Sequence, residues 1–265
     1  MLQLVIVGVL VFAVALFMTM VGKGGGNFYV VILALAHVPM HEAATTGQFI
    51  LFSSSVAAMI VFQKNRSLSW SLAVLVGTST ALSALVGGYF SHMFSGFSLK
   101  IIFAVMLFAA GAVMLVPVPE KAGGERARSS ATLRIASGKD TYWVNLWLAV
   151  PVTVLTGFAS GMVGVSGGSF LVPLMVLACG VPMHVAVGTA STLIAATAFM
   201  GFVGHAVQGD FNPVWAGPLA AVTTAGGLLG GRFALRTKPR HLKQLFAYTN
   251  WLAAGFMVAN AVMTQ

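Results

Sequence analysis

Gly22-Lys23-Gly24-Gly25-Gly26-Asn27 interrupts a long apolar run, and Gly164-Val165-Ser166-Gly167-Gly168-Ser169 interrupts another in the second half of the chain. Such a break needs a physical reason. Hydrocarbon offers no hydrogen bond to a freed backbone group, so irregular backbone at membrane depth survives only inside protein or along a wet cavity. Glycine permits the turn and lets another group come close to the backbone. The breaks are therefore candidate binding elements within a membrane-embedded bundle.

The surrounding composition supports that setting. Of 265 residues, 58% are hydrophobic and 7% charged, against about 25% charged in soluble domains. Eight apolar segments, near 2–21, 42–63, 70–90, 99–116, 143–163, 184–207, 213–231 and 244–262, approach or reach the length that crosses about 30 Å of hydrocarbon as a helix. None alternates with period two, which excludes a barrel. The fold class predicted is all-α and polytopic. The net charge of +9 is carried by short loops, where it faces lipid headgroups and sets orientation, so nucleic acid is not the expected partner. One cysteine, Cys179, excludes an internal disulfide. Residues 2–21 lack a basic leader and are read as a retained helix.

The pattern occurs twice. Aligning Gly22–Thr46 with Gly164–Thr189, with Gly180 as one extra residue, makes about half of the pairs identical, including Gly25/Gly167, Gly26/Gly168, Phe28/Phe170 and Val38-Pro39-Met40-His41 against Val181-Pro182-Met183-His184. Gly87-Gly88 further matches Gly230-Gly231. Residues 1–116 form the first repeat, 117–142 a polar linker and 143–265 the second repeat. Charge decides the relative orientation. If each short piece (28–36 and 170–178) returns the chain to the side it came from, one face collects Lys64, Arg66, Lys121, Arg126, Arg128, Arg134, Lys139, Arg232, Arg236, Lys238, Arg240 and Lys243, and the other keeps Lys100. The positive-inside rule selects that arrangement. Each repeat then has five segments, four long helices plus one short helix after the break. An odd number inverts the halves, with both termini outside and the linker cytoplasmic. Paired broken elements in inverted repeats are a transporter pattern, with substrate held where the breaks meet.

The chemistry at the breaks suits an anion. A helix starting directly after the glycines presents unpaired N–H groups and its positive dipole end. Asn27 and Ser169 occupy equivalent places and either cap the helix or donate to a ligand. Lys23 adds a charge where charge is costly and by default functional. The substrate-binding set is Lys23, Gly24, Gly25, Gly26, Asn27, Ser166, Gly167, Gly168 and Ser169. The alternative is that the glycines only permit tight packing and Lys23 snorkels outward. His41, Glu42, Thr46, Gln48, His184, Thr189 and Ser191 are candidates for a path or for proton coupling. The histidines serve equally as interfacial caps, and Glu42 equally as a first-turn acid meeting the helix dipole. Ser53-Ser54-Ser55 and Thr223-Thr224 are read as interhelical contacts. No metal or cofactor motif is present. Gly164-Val165-Ser166-Gly167 also fits an intramembrane serine protease with His205 as base, but the first copy has Gly24 where Ser166 stands, and the repeated feature is the glycine frame.

Gly22–Phe28 with Val38-Pro39-Met40-His41-Glu42-Ala43-Ala44-Thr45-Thr46-Gly47, and Gly167–Pro173 with Gly180-Val181-Pro182 and Ala186-Val187-Gly188-Thr189-Ala190, resemble the two halves of the sulfite exporter TauE/SafE family. The resemblance covers nearly the whole chain. It implies a secondary transporter of sulfite and related sulfur-containing anions in a prokaryotic inner membrane, multi-pass, with the lipid bilayer as partner, and it admits a homodimer. Sulfite export is the expected activity; import of sulfate, thiosulfate or an organosulfonate is the alternative. Many members have an apolar residue where Lys23 stands, which implies a subgroup with a more charged site.

Overall fold

The computed structural model describes residues 2–90, 96–116, 132–137, 140–163, 168–178, 180–206 and 211–263. Its long helices lie close to the apolar segments: α1 (Leu2–Met20), α3 (Met40–Lys64), α4 (Trp70–Phe90), α5 (Gly96–Met114), α6 (Leu146–Val163), α8 (Met183–Ala206), α9 (Pro213–Arg236) and α10 (Pro239–Met263). Three of them carry spans long and apolar enough to cross a membrane, Gln3–Met20, Thr45–Lys64 and Met183–Met200. The short pieces are α2 (Gly26–Leu35) and α7 (Gly168–Pro173), the latter continuing as a π turn over Leu174–Ala178. The antiparallel strands β1 (Thr132–Ser137) and β2 (Asp140–Asn145) are an addition to the all-helical expectation. Their β-branched and aromatic residues, the run Thr141-Tyr142-Trp143-Val144 above all, sit inside a connection whose glycines and prolines read as plain linker, and pairing through Asn145 delays α6 to Leu146.

Helix ends follow local rules. After α1, Lys23 N–H donates to Met18 O (2.9 Å) and Gly22 N–H to Thr19 O (3.1 Å), with Gly22 at φ 75°. This is a Schellman closure, whose left-handed residue is usually glycine. Arg66 (φ 54°) closes α3 in the same way, with Ser67 N–H on Phe62 O (2.9 Å). Asn212 caps α9 by accepting from Val214 N–H (3.0 Å), with Pro213 at the first helical position.

The two copies of the short element differ instructively. His37 (φ 59°) and Gly180 (φ 63°) both stand in the left-handed conformation just before Val-Pro-Met-His. The next N–H returns five residues in the first copy, Val38 to Leu33 O, and six in the second, Val181 to Met175 O. Gly180 is therefore the counterpart of His37, not the inserted residue. The extra residue is absorbed by the wider π turn that follows Pro173, whose missing N–H already breaks the α-helical ladder.

The chain forms two compact units, and each takes helices from both halves of the sequence. The first comprises Met1–Leu68 and Val187–Thr237. Within it α1 and α3 both run parallel to α9. Gly226 meets Phe12 and Ala15, and Gly230 meets Leu16 and Thr19; Gly227 lies on Ser54, and Gly231 on Ala58 and Val61. Glycines on this face let the helix axes approach. α2 runs back against both α1 and α3. Its start abuts Val14, Met18 and Leu51, Val30 packs on Gly47, and its end accepts a hydrogen bond at Ala36 O from Gln3 Nε2 (2.7 Å). α8 is antiparallel to α3, with Phe49 on Phe202 (centroids 5.0 Å), Phe52 on Phe199 (5.3 Å) and Gly188 against Phe62 and the Ser67 carbonyl. The shared core gathers Val7, Val11, Ala15, Tyr29, Leu33, Ile50, Leu51 and Ile194. Val5, Ile6, Val9 and Leu10 leave an exposed apolar face on α1, as lipid contact requires.

The second unit comprises Ser69–Ala186 and Lys238–Gln265. There α4 packs along α6, and α5 runs antiparallel to α10: Gly111 meets Ala247 and Trp251, while Ala104 and Leu107 cluster with Ala254 and Phe170. Trp251 Nε1 donates to Phe108 O (3.2 Å). In each unit the first helix of one sequence half packs along the fourth helical element of the other half, α1 on α9 and α6 on α4.

Adding a methyl group tests the α3–α9 contact. A Cβ on Gly227 would meet the Ser54 carbonyl, whereas nothing lies within 4 Å of one on Gly217. Gly227→Ala is expected to cost about 1–3 kcal/mol by overpacking, and Gly217→Ala to leave stability unchanged or slightly raised. Thermal unfolding of the two purified variants in detergent checks this; equal melting temperatures would mean that α3 and α9 do not touch there.

Candidate functional site

The first glycine break is a closed, deliberately shaped element. Gly22, Gly24 and Gly25 all have positive φ (75°, 71° and 83°), a conformation other residues adopt only with strain. The Schellman closure ends α1, and α2 restarts at Gly26 with Phe28 N–H and Tyr29 N–H both donating to Gly25 O (3.0 and 3.2 Å). Between these points the N–H groups of Gly24, Gly25 and Gly26 have no backbone partner among the described residues. They form the open N-terminus of a ten-residue helix, where the dipole is positive.

Contacts set the height of this element in the unit. A Cβ on Gly24 would lie 2.6 Å from Leu51 Cδ1, 2.9 Å from Ile194 Cγ2 and 3.4 Å from Ser55 Oγ. Leu51 and Ser55 flank the middle of α3, and Ile194 stands near the middle of α8. The break thus faces the centres of two helices that carry membrane-length apolar spans. Residues 21–25 are all buried, and Lys23 is only 6% exposed. Lys23 therefore does not snorkel: its neighbours along the chain are sealed beneath Leu51 and Ile194. Those same contacts explain why a side chain at position 24 or 26 is excluded, since a Cβ on Gly26 would come 2.8 Å from Leu51 Cδ2.

The other sequence candidates fall in different places. Asn27 is the second residue of α2, and its side chain is outside the described residues, as is that of His41. Ser166 and Gly167 lie outside the described residues altogether, while Gly168 is buried and Ser169 half-buried at the start of α7 in the second unit. The protease constellation of Ser166 with His205 lies outside the described residues as well, since the His205 side chain is not among them. Glu42 is half-buried in the first turn of α3, where an acid meets the helix dipole. It is nine residues before Leu51, or roughly 14 Å along the axis. His184 holds the matching first-turn position in α8. Thr189 is fully buried, and Ser191 Oγ is committed to Val187 O (2.9 Å). Thr46 is fully buried, and its hydroxyl has no hydrogen-bond partner. It stands nine residues before Ser55, which puts the two on roughly opposite faces of α3. Gln48 is half-buried and seven residues before Ser55, on the same face.

Three buried polar groups escape a reading of the sequence alone. Ser55 Oγ and both amide atoms of Asn250 lack hydrogen bonds, and the Tyr29 hydroxyl is buried with the Ser54 hydroxyl near it. Tyr29 faces Ser54, whose own hydroxyl donates to Leu51 O (3.0 Å). Asn250 lies on α10 in the second unit, one turn from Ala254, which packs with Phe170. Only tertiary burial distinguishes these from the many serines and asparagines of ordinary helices. A groove of about 440 Å³ between α1 and α9 is lined by Leu4, Val5, Gly8, Val9, Phe12, Pro218, Leu219 and Val222. It offers no polar side chain to a charged ligand and lies on the lipid-facing side of α1. No cluster of metal-ligating side chains occurs among the described residues.

The model of the family described as sulfite exporter TauE/SafE matches residues 7–257. The probable membrane transporter protein YunE of Bacillus subtilis is 23% identical over 222 residues, covering 80% of this chain and 81% of that one. A probable membrane transporter protein of Xylella fastidiosa is 25% identical over 211 residues, covering 78% and 75%. One from Methanocaldococcus jannaschii is 25% identical over 213 residues, covering 76% and 71%. No solved structure matches the chain. Nearly the full length, both glycine breaks included, falls within one family match, and the chain belongs to the sulfite exporter TauE/SafE family of membrane transporters.

Proposed function

We propose that this transporter carries a small sulfur oxyanion, with sulfite export as its activity, and that the anion binds at the start of α2. The observation that carries the proposal is the buried Lys23 beside three backbone N–H groups that have no backbone partner among the described residues, at the start of a helix level with the middle of α3 and α8. A desolvated lysine and a helix N-terminus both favour a negative charge, and low dielectric strengthens each. Residues Gly24, Gly25, Gly26 and Asn27 would supply donors, and Ser166, Gly167, Gly168 and Ser169 are the equivalent substrate-binding set of the second repeat. Import of sulfate, thiosulfate or an organosulfonate through the same site is the second reading, since the same donors suit any of these anions.

The proposed architecture is a pair of inverted repeats in one membrane domain, residues 1–116 and 143–265, joined by the cytoplasmic segment 117–142, with several passes through the inner membrane. Two features support it. Helices at equivalent repeat positions run in opposite directions where they pack, α3 against α8 and α5 against α10. The short α2 also doubles back along α1, as the charge distribution requires. Leu51 on α3 and Ile194 on α8 come from different repeats and together cover Gly24. Because each compact unit mixes helices of both repeats, one repeat does not move as a body against the other, and the site would be uncovered by a shift of α8 against α3. Coupling to protons through Glu42, His41 or His184, and assembly as a homodimer, belong to the same proposal.

Two measurements test it. In proteoliposomes, wild-type protein is expected to move sulfite, with sulfate, thiosulfate and a sulfonate compared alongside, and Lys23→Ala to lower that flux at least about tenfold, the scale of one lost charged hydrogen bond. Undiminished flux in Lys23→Ala, at equal insertion, would remove the lysine from the mechanism. For orientation, alkaline phosphatase fused after Gln265 should be active, and green fluorescent protein inserted at Gly123 fluorescent. The reverse pattern would refute termini on the outside.

A further inference from the structure

Serine and threonine in these helices nearly always turn back onto their own backbone. Ser53 Oγ donates to Phe49 O, Ser54 Oγ to Leu51 O, Ser191 Oγ to Val187 O and Thr223 Oγ1 to Leu219 O, and Thr78, Ser79, Ser83, Thr197 and Thr249 do the same. This is the default for a hydroxyl that has no better partner in an apolar setting. Ser55 departs from it. It is 2% exposed, its hydroxyl makes no hydrogen bond, and its Oγ lies 3.4 Å from the place where a Gly24 Cβ would be. A buried hydroxyl left unpaired is costly, and the nearest acceptor is the carbonyl of its own helix. Its orientation toward the break is what singles it out.

The surrounding faces of α3 narrow its role. Gly47 and Leu51 are occupied by α2, and Phe49 and Phe52 by α8. Ser55 and, two turns earlier, Gln48 lie on the strip between these two neighbours. The polar atoms of that strip therefore address the space in which Gly24 and the start of α2 stand, rather than lipid.

We propose that Ser55 is a substrate-binding residue, its hydroxyl donating to an oxygen of the anion held at the α2 N-terminus, with Gln48 as the next polar station on the route along α3. The assignment rests on the anion-carrier reading above and names a side-chain donor that complements the backbone N–H groups. An oxyanion with several acceptor oxygens can take the backbone donors, Lys23 and Ser55 together. A spherical anion of equal charge cannot use the same spread of donors equally well. Ser55 thus acts in selection between anions, and Lys23 in attraction of charge.

The test is saturation kinetics in proteoliposomes with sulfite, and inhibition of that flux by chloride and by sulfate. Ser55→Ala is expected to raise the KM for sulfite about tenfold or more, with Vmax changed far less, and to narrow the preference for sulfate over chloride as inhibitor. Ser55→Thr, which keeps the hydroxyl, should restore most of the affinity. Ser54→Ala, whose hydroxyl is already spent on Leu51, serves as the packing control, and thermal unfolding in detergent reports the folding of each variant. An unchanged KM and unchanged anion preference in a folded Ser55→Ala protein would overturn the assignment while leaving the carrier reading intact, provided Lys23→Ala still abolishes flux. Absence of flux for every sulfur oxyanion in the wild-type protein would overturn both.

Discussion

A backbone amide inside hydrocarbon must find a partner in its own protein, and this rule organises the structure. The chain breaks a helix within the bundle and must dispose of the carbonyls that end α1 and the amides that begin α2. The carbonyls are handled locally by the Schellman closure at Gly22. The amides of Gly24, Gly25 and Gly26 are not. They have no backbone partner among the described residues, beside Lys23 and next to the side chains of Leu51 and Ile194. These are the donors that the proposed anion would take up.

The rest of the first unit can be understood as support for that element. Three left-handed glycines, Gly22, Gly24 and Gly25, bring the chain back so that α2 lies antiparallel to α1 and α3. The small residues at 226, 227, 230 and 231 on α9 let α1 and α3 be held against one helix at close range. Phe49, Phe202 and Phe211, mutually within about 5 Å between centroids, fill the seam between α3 and α8 on the N-terminal side of Ser55 along α3. Close packing by α2 on one side and aromatic filling on the other leave between them a strip of α3 on which Gln48 and Ser55 stand. The second break has a different local solution. Its short element carries Pro173 and a π turn, which lengthen it by one residue yet return the cap at Gly180 to the position that His37 holds in the first copy. The two short elements are thus related in sequence without sharing one backbone solution, and only the first break carries a lysine.

Much of this was legible before any coordinates. Uninterrupted apolar runs can only be helices in a bilayer, so the long elements emerged within a few residues of their observed ends. The exceptions have local causes: hairpin pairing through Asn145 shortens α6, and Pro213 to Arg236 remains helical past the glycine pair at 230 and 231 because small residues are used there for packing and not for termination. The reversal at α2 was visible as well, through the bias of Lys and Arg among loops, since charge is sorted by the membrane and not by packing. The glycine frame and Lys23 were identifiable because both are expensive in hydrocarbon and would not persist as filler.

What the amino-acid order could not settle is which polar groups are spent and which are available. Ser53, Ser54 and Ser55 are the same residue in sequence, three in a row on one helix. Two close onto their own backbone, while the third turns to Gly24. Ser191 looked like a path residue and is committed to Val187, and Thr46 keeps an unpaired hydroxyl on the face of α3 away from Ser55. The depth of the break had the same status. A helix of membrane length before it was compatible with a loop at the surface, and only the contacts with Leu51, Ser55 and Ile194 place it level with the centres of α3 and α8. Sequence alone determined that a helix is interrupted, that the interruption is duplicated, and that it bears a charge, because these follow from the solvent and from backbone chemistry. Tertiary structure decided what faces the interruption, because hydrogen-bond allocation depends on which helix lies opposite.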